Sequence, residues 1–126
     1  MAHLPGTADE IRGRVPAVLE SYAFIRDNVL LDGPADAEVK RLCFRFLAGE
    51  VDPSAYEGRE RAALDWAVAI AWDSDKADDA LWERLHEHFT EEELVDLGCA
   101  IGFELGQQHF VRTLGLEPEL PHAAPS

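Results

Sequence analysis

Apolar residues recur at helical spacing along almost the whole chain, and no segment shows the apolar–polar alternation of a β-strand. Turn and capping residues divide this pattern into about six helices. The sharpest boundary is Thr90, which has capping-box spacing to Glu93, and the helix beginning there is predicted to end at about Leu114. Of the other predicted helices, the first follows Thr7, the second begins near Pro16 and the third is capped by Asp36. The fourth and fifth cover residues 58–72 and 77–89. The sequence therefore predicts one all-α domain over residues 1–116 and a flexible, proline-containing tail over residues 117–126.

The charge balance excludes several classes of partner. The 126 residues include 11 Lys plus Arg against 25 Asp plus Glu, a net charge of −14, which repels nucleic acids and anionic membranes. No apolar run approaches the roughly 20 residues of a membrane helix, and the N-terminus lacks the regions of a signal peptide. Two cysteines, Cys43 and Cys99, are too few for a disulfide scaffold. We therefore expect a cytoplasmic protein.

Glycine recurs every four residues in the last predicted helix, at Gly98, Gly102 and Gly106. Each glycine costs about 0.8–1 kcal/mol of helix stability relative to alanine, so the pattern favours close packing against another helix, in the same subunit or another, over merely tolerated glycine. Because this helix is apolar on nearly all sides, we expect it to be mostly enclosed. A glycine edge open to water would remove the case for a functional cavity beside that edge.

The polar residues of the same helix form a stripe. Glu104, Gln108 and Arg112 follow one another at four-residue spacing, flanked by Gln107 and His109. One interpretation is a narrow solvated face with an ordinary hydrogen-bonded ladder. The other is a pocket wall in which a buried carboxylate and imidazole have shifted proton affinities. A pocket exposing Gln108 and His109 would favour ligand binding, whereas a sealed hydrogen-bonded contact would favour a structural role.

Four short segments occur in an order typical of one protein family. They are Glu60-Arg61-Ala62-Ala63-Leu64, Leu81-Trp82-Glu83-Arg84-Leu85, His88-Phe89-Thr90-Glu91-Glu92-Glu93-Leu94 and Leu114-Gly115-Leu116. In this order they resemble the carboxymuconolactone decarboxylase family, which includes the alkylhydroperoxidase D-like proteins. The resemblance implies an alkylhydroperoxidase D-like helical bundle that assembles into trimers or hexamers. It also implies sites between helices, near subunit contacts.

The family's two chemistries imply different site residues. Redox members use a Cys-x-x-Cys pair with a histidine, whereas decarboxylase members act on a lactone acid without a cofactor, using a histidine and acidic residues. This chain is shortened and divergent: Phe46 stands where Cys43 would need its second cysteine, and residues 50–60 leave no room for the usual middle helix. Arg41 replaces a frequent glutamate, and Gln108-His109 stand where relatives often have Asn-Arg.

We expect the chain to bind a small organic acid. The resemblance implies decarboxylation or isomerisation of that acid by cofactor-independent general acid/base chemistry. His109 is the candidate general base and Glu104 its orienting or acidic partner. The two positions lie about 140° apart around the helix, so they need a groove bordered by a second helix. The candidate groups that hold the substrate and its carboxylate are Gln108, Arg112 and either Arg41 or Arg45.

Two alternatives remain open. A thiol-dependent, peroxidase-like antioxidant would use Cys43 or Cys99, although cysteine at an apolar helix position is ordinarily a small buried side chain. A non-catalytic assembly protein would retain the scaffold alone. The decarboxylase resemblance implies no cofactor. We also expect no metal, because His86 and His88 point to different faces of a helix. The acidic positions Asp73, Asp75, Asp78 and Asp79 also lack the glycine and glutamate of an EF-hand loop.

Overall fold

The computed structural model describes residues 3–124, and within this range the secondary structure is entirely helical, without a strand. The predicted all-α class is confirmed. The α-helices are α1 (Ala8–Arg12), α2 (Pro16–Ile25), α3 (Ala37–Leu47), α4 (Gly58–Trp72), α5 (Asp79–His88) and α6 (Glu91–Thr113). A π-helical segment (Arg26–Leu30) continues α2, and 3-10 turns occupy Pro53–Ala55 and Ser74–Lys76. Predictions for residues 1–2 and 125–126 lie outside the described residues.

Side-chain caps set the beginnings of three helices as predicted. The hydroxyl of Thr7 accepts a hydrogen bond from the backbone N–H of Glu10 at 3.1 Å, and the Asp36 carboxylate accepts two from the first turn of α3. At α6 the capping box is complete. The Thr90 hydroxyl accepts from the Glu93 N–H at 3.2 Å, and the Glu93 carboxylate accepts from the Thr90 N–H at 2.9 Å. These bonds satisfy backbone donors that have no partner inside the helix.

The core forms around α4, which packs against α3, α5 and α6. Small side chains let these helices approach closely, because Ala62, Ala63 and Ala67 are all fully buried on α4. Helices α1 and α2 pack on each other at one side of this core, and α6 contacts the π-helical segment. In this arrangement α1, α2 and one face of α6 border space outside the main core.

A buried lysine organises the connection between α2 and α3. The Lys40 ammonium donates to the backbone oxygens of Val29 at 2.7 Å and Asp32 at 2.6 Å, and lies 2.6 Å from Asp96 Oδ2 on α6. Gly33, in the same turn, has a φ of +112°, and a Cβ there would lie 2.6 Å from the Asp96 carboxylate. Glycine is therefore required by both its backbone conformation and its neighbour.

The glycine edge of α6 is packed at one end and open at the other. A Cβ on Gly98 would lie 2.6 Å from Trp66 Cη2, so the predicted close packing is confirmed at this position. At Gly102 and Gly106, no heavy atom of residues 3–124 lies within 4 Å of such a Cβ outside the immediate helix backbone. Val95 and Phe110 on the same side are exposed. The expectation of an enclosed helix is thus wrong within the single chain, and the open edge removes the case for a functional cavity beside it.

Residues 117–122 follow α6 and belong to the segment that we expected to be a flexible tail. Pro121 is buried, and Leu120 packs against the core. No helix within residues 3–124 combines the length and the apolar character needed to cross a membrane.

Candidate functional site

A cavity of about 320 Å³ lies between α1, the π-helical segment, α6 and residues 116–122. Its volume is at the lower end of the range of small-molecule sites, about 300–1,000 Å³. It lies on the side of α6 away from the open glycines, because Gly102 and Glu104 are about 160° apart around the helix. The polar side chains that line it from the helices are Asp9, Arg12, Tyr22, Arg26, Glu104, Gln107 and Gln108.

Glu104 is the carboxyl group of the cavity wall, and it is only 2 % exposed. Burial raises its pKa from 4.5 to about 7, although the hydrogen bond from Gln108 and the charges of Arg12 and Arg112 act in the opposite direction. Near neutral pH the acid and carboxylate forms are therefore present in comparable amounts. A group in this state can donate or accept a proton.

Arg12, from the last turn of α1, is held firmly beside Glu104. Its Cζ lies 3.7 Å from the centroid of the Tyr22 ring, a cation–π geometry. Nη1 donates to Asp9 Oδ1 at 2.8 Å, and Nε donates to Gln107 Oε1 at 3.0 Å. Burial raises the pKa of Tyr22, so the phenol stays neutral. The contacts fix a buried guanidinium at the cavity wall.

Arg26 supplies a second buried guanidinium, from the first residue of the π-helical segment. Its Cζ lies 5.9 Å from the centroid of the same Tyr22 ring. Nε donates to Asp27 Oδ1 at 2.9 Å, and this hydrogen bond raises the pKa of Arg26 further. The Leu31 N–H donates to the Arg26 oxygen at 2.9 Å, the π-type bond that ends the segment. The local change of helix type thus contributes a site residue.

The segment after α6 closes the remaining side of the cavity. Residues 116–122 line it, and His122 Nε2 lies 3.1 Å from Glu119 Oε2 within this wall. The ring of Pro121 is buried behind it. The part of the chain expected to be a free tail is therefore a wall of the candidate site.

Gln108 lines the cavity, whereas Arg112 is not among its described lining residues and contacts Gln108 from the next turn of α6. Gln108 Nε2 donates to the Phe44 oxygen at 3.1 Å and to Glu104 Oε2 at 3.2 Å. Arg112 Nη2 donates to Gln108 Oε1 and to the Leu47 oxygen, each at 3.1 Å. These bonds satisfy carbonyls at the C-terminal end of α3. Gln108 is thus a sealed, hydrogen-bonded contact between α6 and α3, and it also stands beside Glu104 in the lining of the cavity.

The structure does not bring His109 or the predicted α3 arginines to the cavity. The exposed His109 ring packs edge-on against Trp72, with 6.0 Å between ring centroids. Arg41 is exposed, and Arg45 Nε lies 3.6 Å from Glu50 Oε2. Among the described residues that line the cavity, none of these three is present. The pairing of His109 with Glu104 that the general-base hypothesis needs is therefore absent from the fold.

The two cysteines, Cys43 and Cys99, differ in their exposure to solvent. Cys43 is completely buried, and burial raises its pKa to about 12, so it carries no appreciable thiolate at neutral pH. Cys99 is an exposed free cysteine on α6. Within residues 3–124 no group of three or more His, Cys, Asp or Glu side chains is placed to hold a metal ion.

Sequence reasoning missed Arg12, Tyr22 and Arg26. An arginine is ordinarily exposed, so nothing local marks Arg12 as buried. Helical spacing makes Tyr22 (or Ala23) and the Arg26 stem (or Ile25) candidates for the core of the helix that begins near Pro16, but it does not mark them as site residues. The available signal was Glu104 itself, since a buried carboxyl group needs cations or hydrogen-bond donors near it.

Comparisons with models of protein families, with curated proteins and with solved structures find no match to this chain. The resemblance to the carboxymuconolactone decarboxylase family therefore rests on the short segments named above, and it stays a prediction.

Proposed function

We propose that this protein binds a small organic acid in the cavity and exchanges a proton with it through Glu104. The observation that carries the proposal is that a 2 % exposed glutamate and two buried guanidinium groups, those of Arg12 and Arg26, line the same cavity. The guanidiniums provide the donors that a carboxylate prefers. Glu104 provides the group that can hold or release a proton near neutrality.

The finer proposal is cofactor-independent isomerisation or decarboxylation of the bound acid. Isomerisation requires one group that takes a proton from one carbon and returns it to another, and Glu104 can perform both steps. Decarboxylation breaks a carbon–carbon bond, releases CO₂, and leaves a carbanion that the protonated Glu104 can neutralise. The family resemblance supports the same substrate class, because its decarboxylase members act on a lactone acid. In this proposal Glu104, and not His109, is the group that transfers the proton.

Calorimetric titration with butyrate, benzoate and succinate tests the binding step. We expect at least one of these acids to bind, and Arg26→Gln to weaken that binding at least tenfold, the effect of losing one charge-assisted contact. The matched control is Arg59→Gln, which removes the same charge from an exposed pair with Asp36. Equal binding by both variants, or no binding by the natural protein, contradicts the proposal.

Assembly through α6 is a second candidate function, and it includes the trimer or hexamer implied by the resemblance. It is supported by an exposed, uncharged face of α6 that contains Val95, Cys99, Gly102, Gly106 and Phe110. Contiguous exposed apolar surface of this kind is typical of protein contacts. The molar mass of the protein, measured by light scattering as it elutes from a size-exclusion column, tests this assembly.

The matched variants for this test are two phenylalanine replacements. Phe110→Glu places a charge on the α6 face, where Phe110 is 41 % exposed, whereas Phe24→Glu places one on a more exposed position of α2, at 66 %. We expect only Phe110→Glu to reduce the molar mass to that of one chain. A natural protein that is already monomeric contradicts the assembly proposal and leaves acid binding untouched.

A further inference from the structure

A second space lies directly beside the cavity, in a groove of about 360 Å³ between α2 and α6. Tyr22 and Gln107 line both spaces, so the groove begins where the polar cavity ends. The remaining lining residues are Ala17, Val18, Ser21, Ile25, Leu30 and Phe103. The α2 members recur at the three- and four-residue spacing of one helix face.

The two spaces have opposite chemical character. Among the described residues that line the groove, none is charged, although charged residues make up 29 % of the chain. The cavity, in contrast, is lined by two arginines, a histidine and four acidic residues. Val18 and Phe103 leave apolar surface exposed to solvent at the groove. A ligand that covered them would gain free energy from burying its own apolar surface.

The shared wall is positioned by the cationic site. Gln107 Oε1 accepts from Arg12 Nε at 3.0 Å, and the Tyr22 ring lies against the same guanidinium. A carboxylate held by Arg12 and Arg26 would therefore leave the rest of its molecule next to Tyr22 and Gln107. From these side chains the groove offers an apolar path along α2.

We infer that the acid is amphipathic, with its carboxylate in the cavity and an unbranched apolar chain in the groove between α2 and α6. This inference rests on the proposed function, because the carboxylate end is the one held at Arg12 and Arg26. It specifies a medium-chain monocarboxylic acid as the ligand class. A compact dicarboxylic acid would leave the groove empty.

The test is a calorimetric series of straight-chain acids from acetate to decanoate. Each methylene buried in the groove should tighten binding about fourfold, until the groove is filled and the gain stops. Val18→Asn should weaken decanoate binding about tenfold and leave acetate binding unchanged, because it alters only the apolar path. The matched control is Val15→Asn, at an exposed valine of the same region that does not line the described groove.

The outcomes separate this inference from the proposal beneath it. Equal affinities along the series, with acetate still bound, overturn the amphipathic ligand and leave acid binding intact. If the affinities are equal and light scattering shows an assembled protein, a second copy of the chain, and not the acid, occupies the groove. No binding of any acid overturns the proposed function itself. Equal losses of decanoate affinity in Val18→Asn and Val15→Asn also contradict a chain seated in the groove.

Discussion

Lys40 and Asp96 form a buried ion pair that joins α3 to α6, with Nζ 2.6 Å from Oδ2 and the two side chains only 1 % and 10 % exposed. Nζ also donates to two backbone oxygens, so its three protons all have acceptors. One of these oxygens belongs to Val29, within the π-helical segment that carries Arg26. The pair thus links the packing of α6 to the position of a cavity guanidinium.

Replacing Lys40 with methionine should destabilise the fold by about 3–5 kcal/mol, because it leaves Asp96 buried without its cation. Urea unfolding followed by circular dichroism measures this change. Arg45→Met is the matched control, since Arg45 pairs with Glu50 in a largely exposed position. We expect that control to cost less than about 1 kcal/mol. Similar losses of unfolding free energy in both variants would show that the buried pair stabilises the fold no more than the exposed one.

The glycines of α6 should respond differently to alanine. Gly98→Ala should destabilise by about 1–3 kcal/mol, because the new methyl group would overlap Trp66, which itself packs edge-on against Trp82. Gly102→Ala should stabilise the helix by about 0.8–1 kcal/mol, since its Cβ enters open space. Thermal unfolding of dilute, monomeric protein measures both. A stabilising Gly98→Ala would contradict the packing described at Trp66.

Glu104 should make stability depend on pH with a definite sign. Its folded-state pKa is raised, so between pH 4.5 and about 7 the folded protein holds a proton that the unfolded chain has released. The stabilisation is fully present below pH 4.5 and is lost as the pH rises through about 7, a change of about 3 kcal/mol at 1.4 kcal/mol per unit of pKa.

Unfolding free energies of the natural protein and Glu104→Gln across this range measure the effect. The amide keeps the shape of the acid without titrating, so Glu104→Gln should gain relative stability as the pH rises. A difference between the two proteins that does not change with pH would mean that Glu104 titrates normally.

Cys43 should be chemically inert in the folded protein. In a Cys99→Ser variant, which retains only Cys43, a disulfide reagent at mildly alkaline pH should react only after guanidinium unfolds the chain, because the thiol is buried and its pKa is raised to about 12. Absorbance of the released thiolate follows the reaction. Rapid modification of the native variant would revive the peroxidase alternative.

Local chemistry explains why the helices could be predicted so well. Thr7, Asp36 and Thr90 cap helices through bonds to residues two or three positions away, so the information lies within a few letters of sequence. The π-helical segment could not be predicted in this way. One of its carbonyls, that of Val29, accepts a hydrogen bond from Lys40 on α3, so the contact depends on how the two elements pack.

The candidate site was predictable only on α6. Glu104 stands out because it is polar in an apolar helix, but the burial of Arg12 and Arg26 depends on where the fold places α1 and the π-helical segment relative to α6. The glycines show the same limit. Gly98 and Gly102 are equivalent in the repeat, yet only Gly98 faces Trp66.

A carbon NMR titration of the Glu104 carboxyl group, with and without butyrate, tests the central claim most directly. The account predicts a carboxyl group that titrates near pH 7, disappears in Glu104→Gln, and has its pKa raised further by butyrate, because a bound anion disfavours the carboxylate. A Glu104 signal that titrates near 4.5, or that butyrate leaves unchanged, would contradict it.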